Sequence, residues 1–251
     1  MMTSERKTYI LDLLKQDGRI VAKDVSRNLE LSEDTIRRDL RELAADGLLQ
    51  RVHGGALPAS RAVADLAVRR TVSTSGKEAI AQAAARMIRH GQIVFLDGGT
   101  TTLALAKAIP PDLKATVITH SPDIAVALRN NPWIATELIG GRIYKHSNVT
   151  TGATAIESIS GIRCDLFFMG VTGVHAEHGL TTGDREEAAV KRAISRRSAE
   201  TIVLASQEKI GAVSAYGILE LSDIDGLIVA KATNHADIAP FIALGLSVTQ
   251  A

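Results

Sequence analysis

The chain has 251 residues, of which 45% are hydrophobic and 23% charged, and its formal net charge is +1. That length and apolar content suffice for one or two packed domains and exclude a wholly disordered chain. No apolar run approaches the roughly 20 residues that span a bilayer, and the start, Met1 to Arg6, is polar rather than signal-like, so the expectation is a cytoplasmic protein with no membrane partner. The single cysteine, Cys164, sits in an apolar run and supplies neither a disulfide framework nor a metal site. Charge is balanced along the chain as well: residues 1 to 57 hold 10 Lys+Arg against 10 Asp+Glu, and residues 58 to 76 hold three against one. A case for nucleic acid must therefore rest on where charges are placed.

Ile10, Leu13 and Leu14 follow helical spacing and Gly18 ends that segment, which predicts a first amphipathic helix. Ala22, Val25 and Leu29 predict a second, shorter one, closed by a tight connection at Glu30 and Leu31. Ser32 is a good N-cap for a third helix, with Glu33 and Asp34 where the helix dipole favours acids. Along it Ile36, Leu40, Leu43 and Ala44 recur on one face, which leaves Thr35, Arg37, Arg38 and Arg41 pointing outward until Gly47 stops the helix. Residues 48 to 55 then read as two short strands about a glycine-rich turn.

Three short helices with a tight turn before the third form a helix-turn-helix, whose last helix enters the major groove. Ser32, Thr35, Arg37, Arg38 and Arg41 are its candidate DNA-facing residues, since an arginine fork can donate to guanine O6 and N7. Arg51, His53 and Gly54 on the wing would meet phosphate or the minor groove. The plainer alternative is a solvated basic face on a small helical domain. The run Leu31-Ser32-Glu33-Asp34-Thr35-Ile36-Arg37-Arg38-Asp39-Leu40, with Leu43 and Gly47 to Ala56, resembles the signature of the DeoR family of bacterial regulators. Val21 departs from it, standing where such proteins often carry a Ser or Thr cap, and the second helix is expected to fray more easily.

Residues 58 to 76, rich in Ala, Arg, Ser and Thr, read as a linker between a winged helix-turn-helix (1 to 57) and a larger domain (77 to 251). In the latter, helix-like segments (80 to 88, 103 to 109, 123 to 128, and 185 to 199 as the longest) alternate with short apolar runs (93 to 96, 116 to 119, 136 to 139, 165 to 169, 201 to 205, 227 to 230). This predicts an α/β domain with a Rossmann-like parallel sheet. Such sheets bind ligands beyond the carboxyl ends of their strands. The turns there are Asp97-Gly98-Gly99-Thr100-Thr101-Thr102, His120-Ser121, Gly140-Gly141-Arg142, the turn opening at Gly170, and Ser206 to Lys209. The first offers a phosphate cradle at a helix N-terminus, and Arg142 and Lys209 offer positive charge. Each alone has a plain reading as a helix cap, a chain turn or a solvated lysine.

No Walker pattern or GxGxxG occurs, which excludes the common nucleotide cofactors. His175-Ala176-Glu177-His178 lacks a third ligand, so no metal is expected. The second domain is similar to the DeoR sensor domain, related in fold to ribose-5-phosphate isomerases, glucosamine-6-phosphate deaminases and coenzyme A transferases. Its carriers are Asp97 to Thr101, Gly140-Gly141, Asp165 to Gly170, Gly179-Leu180-Thr181 and Lys191. Departures are His120-Ser121, where Asn-Ser is common, and Ala205 to Lys209, where Asp-x-Ser-Lys is usual. The resemblance implies a repressor, dimeric or tetrameric, that binds a double-stranded operator and is relieved by a phosphorylated sugar or sugar-acid effector. The rival readings are an isomerase- or deaminase-like enzyme using Asp97 or Glu208 as base, and an RNA-binding or architectural winged helix.

Overall fold

The computed structural model describes residues 2–60 and 66–251. Helix α1 (Thr3–Asp17) buries Ile10 and Leu14 and ends at Gly18, whose left-handed backbone (φ 69°) lets its N–H return to the Leu14 carbonyl. Strand β1 (Ile20–Val21) leads into α2 (Ala22–Leu29), and α3 (Glu33–Ala45) starts at the predicted Ser32 cap. Strands β2 (Leu49–Val52) and β3 (Gly55–Pro58) form a hairpin about His53 and Gly54, and β3 pairs with β1 on its other side. Gly55 admits no side chain, because a Cβ there would lie 1.7 Å from the Ile20 carbonyl oxygen.

The expected fraying of α2 meets a substitute. Val21 gives no side-chain cap, yet the Ala22 N–H donates to the Gly54 carbonyl at 2.8 Å, so the wing turn satisfies one free amide of the first turn, a different one from those of Lys23 and Asp24 that a capping serine reaches. Beneath these elements Ile10, Val25, Ile36, Leu40, Leu43 and Leu49 form one core. At its edge Asp39, fully buried, accepts from Arg6 Nη2 at 3.0 Å and from Arg6 Nε.

Of the stretch read as linker, residues 61–65 lie outside the described residues. Its first residue closes β3, and the rest holds helix α4 (Leu66–Thr71) and the start of α5 (Thr74–Ala85). Seven strands then form one parallel sheet: β4 (Ile93–Leu96), β5 (Ala115–Thr119), β6 (Ile134–Leu138), β9 (Cys164–Gly170), β12 (Ser198–Ala205), β14 (Gly226–Val229) and β15 (Val248–Gln250). A small hairpin, β7 (Arg142–Tyr144) with β8 (Val149–Thr151), and a three-stranded unit of β10 (Gly173–His175), β11 (Gly179–Thr182) and β13 (Tyr216–Leu219) stand beside it. Spatial order is β15-β14-β12-β9-β4-β5-β6.

Strand β9 shows why the apolar runs are continuous. Leu166 and Phe168 join the core under α5, α6 (Thr100–Ala108) and α7 (Pro122–Leu128), while Phe167 and Met169 join the core under α8 (Ala153–Ser160), α9 (Arg185–Ser195) and α10 (His235–Ala243). Both faces are covered, so both side-chain sets are apolar. The helix expected over 185 to 199 stops at Ser195, because Ser198 and Glu200 pair with Cys164 and Leu166 of β9 and are claimed by the sheet.

The buried Arg6–Asp39 pair gives a stability prediction. Asp39→Ala strands a guanidinium in the small core, and urea unfolding should show a loss of about 3–5 kcal/mol for the N-terminal unit. A loss no greater than that of an exposed alanine substitution would mean the pair is solvated.

Candidate DNA-reading helix and anion cleft

Pairing decides which cations of the electrically balanced N-terminal unit stand free. Helix α1 neutralises the acids of α3 from behind: Arg6 holds Asp39, and Lys7 Nζ lies 2.9 Å from Glu42 Oε2. Asp12 and Asp24 are matched by Lys15 and Arg27. Among the described residues, Arg19, Lys23, Arg38, Arg41 and Arg51 are exposed and enter no ion pair.

The predicted DNA-facing residues thus divide. Ser32 and Thr35 are engaged in the cap: Ser32 Oγ accepts from the Thr35 N–H at 3.2 Å and lies 2.9 Å from Thr35 Oγ1. Arg37 Nη2 lies 3.1 Å from Glu33 Oε1 one turn back. Arg38 and Arg41 on α3, and Arg51, His53 and Gly54 on the wing, are exposed.

In the parallel sheet, chain order reverses between β4 and β9. Loops leaving such a pair diverge and open a crevice at the strands' carboxyl ends. Gly98, Gly99, Thr100, Thr101, Thr102, Gly170 and Lys209 line a cleft there, as the sequence predicts. The first intrahelical bond of α6 runs from Leu103 N to Gly99 O, so the amides of Thr100, Thr101 and Thr102 have no intrahelical acceptor. Thr101 Oγ1 is buried with no hydrogen-bond partner. Gly98 must be glycine, because a Cβ would lie 2.0 Å from Val149 Cγ1. Burial pushes the Lys209 ammonium down to about 8, against a partial pull upward from Glu208, and burial also lowers Lys77.

The other predicted residues lie elsewhere. Asp97 and His120 are fully buried beneath the cleft. Asp97 Oδ1 accepts from Gly98 N at 2.9 Å and His120 Nε2 at 2.8 Å, and Oδ2 accepts from Gly170 N at 2.8 Å and from Lys191 Nζ. Burial pushes this carboxyl up, but the Lys191 charge and the His120 hydrogen bond outweigh it and hold it at about 2. Ser121 is buried against Asn148. Gly140 and Gly141 turn the chain beside β8, and a Cβ on Gly141 would come within 2.8 Å of the Thr151 oxygen. Arg142 is exposed and paired with Glu186 at 2.7 Å, away from the cleft lining.

In place of Arg142, the stretch read as linker supplies Arg69, and Lys77 just past it lines the cleft as well. The three-to-one excess of cations over residues 58 to 76 was the available signal for Arg69. Thr172 and Glu208, from two of the strand-end turns read in the sequence, line the cleft as well, and Ser147, Thr182 and Glu187 join them from stretches the sequence did not single out. Two bonds tie the connecting stretch to cleft residues: Ser60 Oγ donates to the Thr172 carbonyl, and Ser73 Oγ donates to Glu208 Oε2 at 3.1 Å. His175 and His178 pack with ring centroids 4.9 Å apart, and among the described residues no metal-competent group of His, Cys, Asp or Glu forms.

A family model described as a DeoR-like helix-turn-helix domain matches residues 6–62, and one described as a DeoR C terminal sensor domain matches residues 72–231. The HTH-type transcriptional regulator GlpR of Haloferax volcanii is 35% identical over 240 residues, covering 94% of this chain and 93% of that protein. The glycerol-3-phosphate regulon repressor of Escherichia coli is 30% identical over 228 residues, covering 90% of each chain. Among solved structures, ribose 5-phosphate isomerase A of Methanocaldococcus jannaschii is 15% identical, with a TM-score of 0.39 over 53% of this chain and 52% of that one.

The buried carboxylate makes two predictions. Asp97→Asn leaves Lys191 with only the longer Glu187 pair at 3.5 Å and should destabilise the sheet domain by up to about 3–5 kcal/mol in denaturant unfolding. A carboxyl depressed from 3.8 to about 2 contributes stability that is complete above its ordinary value and is lost as pH falls toward 2. An acid titration in which wild type and Asp97→Asn lose stability in parallel between those two values would count against this.

Proposed function

As a member of the DeoR family the chain is a DNA-binding transcriptional regulator rather than an enzyme, and we propose that it represses a carbohydrate or sugar-acid catabolic operon until a phosphorylated sugar-like effector enters the cleft. The observation that carries the ligand class is the buried Thr101 hydroxyl without a partner, beside three open helix amides and Lys209. The several oxygens of one phosphate group can accept from these donors together, and a neutral sugar satisfies few.

On the DNA side, Arg38 reads a base edge in the major groove, with Arg41 and the wing residues Arg51 and His53 on phosphates. Arg37, held by Glu33, has a smaller part. A homodimer or homotetramer would present two such helices to a repeated operator. No helix among the described residues is long and apolar enough to cross a membrane, and action in the cytoplasm is part of this proposal. Catalysis has little to work with here. Asp97 is consumed by four donors, and Glu208 is hydrogen-bonded to Ser206 and Ser73.

Selection from random duplexes should enrich one sequence, on which Arg38→Ala costs about 1–3 kcal/mol and relaxes preference at one base, while Arg37→Ala costs less. Enrichment of no sequence would sink the operator reading. On the effector side, an anion beside Lys209 raises its pKa from about 8, so binding takes up a proton and weakens as pH rises past that value. Calorimetry with sulfate, an anion that carries no titrating proton in this range, in buffers of different ionisation enthalpy measures that uptake. Proton release instead would exclude Lys209 as the anion's partner.

A further inference from the structure

Glu208 is out of place in an anion cleft. Apart from Glu187, which is engaged with Thr182 and Lys191, the other charged side chains lining it are the cations Arg69, Lys77, Lys191 and Lys209. The Glu208 carboxylate is held at both oxygens, by Ser206 Oγ at 2.6 Å and by Ser73 Oγ at 3.1 Å. Ser73 is unusual in turn. It is the N-cap residue of α5 in the left-handed region, φ 51° and ψ 41°, and its hydroxyl makes no cap bond to the helix. A non-glycine residue keeps such a backbone only where its surroundings enforce it. Lys77, one turn on, donates to the Arg69 and Val72 carbonyls at 2.5 Å each, so the turn from 69 to 77 is a closed unit over the cleft. The free space beneath is about 30 Å³, room for roughly two waters. A sugar phosphate needs more, and something at the rim must yield.

We propose that Glu208 is an internal stand-in for the effector's anionic group, sitting in the cleft's positive field and pinning the 69–77 turn through Ser73 until an entering anion displaces it. The inference rests on the anion-cleft reading above and adds its regulation. Two anions in one small cleft repel strongly at low dielectric, so the incoming group and Glu208 compete for the same cations. Expulsion of the carboxylate breaks the Ser73 bond and frees the turn to lift. The same connecting stretch begins two residues beyond β3, where Ser60 is bonded to the cleft residue Thr172 and Ala59 bridges to Val213. Opening at Ser73 thus releases one of the two bonds, Ser73 to Glu208 and Ser60 to Thr172, that tie the connecting stretch to the cleft.

Four full-length proteins test this: wild type, Glu208→Gln, Ser73→Gly and Lys209→Ala, each titrated calorimetrically with inorganic phosphate. Glu208→Gln should bind phosphate about tenfold tighter, because the competent, vacated state no longer has to be bought from a minor population. Ser73→Gly keeps the left-handed turn and every charge, removes only the anchor, and should also bind several-fold tighter. Hydrogen exchange of the amides from 72 to 77 should rise on phosphate addition in wild type and be fast already in Ser73→Gly. Tighter binding by Glu208→Gln with Ser73→Gly unchanged would reduce Glu208 to simple repulsion and overturn the proposal while leaving the cleft intact. Glu208→Gln no tighter than wild type overturns it too. Phosphate binding that is absent throughout, or indifferent to Lys209→Ala, removes the cleft reading and the proposal with it.

Discussion

A carboxylate with no exposure to water must recover its lost hydration from neighbours or surrender its charge. Asp97 recovers it from four donors in four separate stretches of chain: Gly98 after β4, His120 after β5, Gly170 at the end of β9, and Lys191 on α9. Those are the elements that meet where the sheet reverses its order. The bond to Gly170 N and the Lys191 bond to the Gly170 carbonyl at 3.0 Å hold the β9 loop against the β4 loop. With Asp97 turned inward, Gly98 and Gly99 carry the chain outward and aim the first turn of α6 at the crevice. The proposed anion site therefore lies against a buried carboxylate that is already satisfied. In that proposal the other cleft cations are left for a second anion, because Lys191, which also lines the cleft, is already engaged with the first.

The N-terminal unit applies the same principle to the opposite end. Its acids and bases are equal in number, so its net charge predicts no attraction for DNA. What matters is that α1 supplies cations to the acids of α3, one pair buried and one partly exposed, and leaves Arg38 and Arg41 unmatched. Burying Asp39 also removes the acid adjacent to Arg38 from the helix surface. The exposed unpaired charges remain balanced, with Glu5, Asp17, Glu30, Asp34 and Asp46 against Arg19, Lys23, Arg38, Arg41 and Arg51, so what the pairing selects is which cations stand free on α3 and the wing.

The sequence carried local signals well and long-range pairings poorly. The Ser32 cap, Gly18, the hairpin about His53 and Gly54, and the apolar runs from Ile93 and Thr201 are legible because capping, turn chemistry and periodicity act over a few residues. The boundary of α9 was misread because Ser198 to Glu200 have no helix-breaking residue and are claimed by β9, more than 30 residues earlier in sequence. Site residues divide in the same way. The Gly98 to Thr102 turn and Lys209 were visible as polar loops at strand ends. Asp97 and His120 were visible too, but their role was not, since nothing local says that Lys191 will lie beneath them. Arg142 was an attractive cation and Arg69 an inconspicuous one until the fold paired the former with Glu186 and brought the latter over the cleft.

The size of the coupling between cleft and wing can be set against the bonds available to carry it. Allosteric coupling in regulators is typically about 1–3 kcal/mol. A hydrogen bond to a charged group contributes about 1.5–3 kcal/mol and a neutral one about 0.5–1.5 kcal/mol. Ser73 to Glu208 is of the first kind and Ser60 to the Thr172 carbonyl of the second. Ser73 is exposed, so its bond lies toward the low end of that range and sets a bound on what its loss alone can carry, without any rearrangement of the sheet. The sheet could hardly supply it: both of its faces are packed, and its switch point is fixed by Asp97. A rigid sheet with bistable attachments at its rim places the two-state element in the connecting stretch, whose bonds can change partners without unpacking a core.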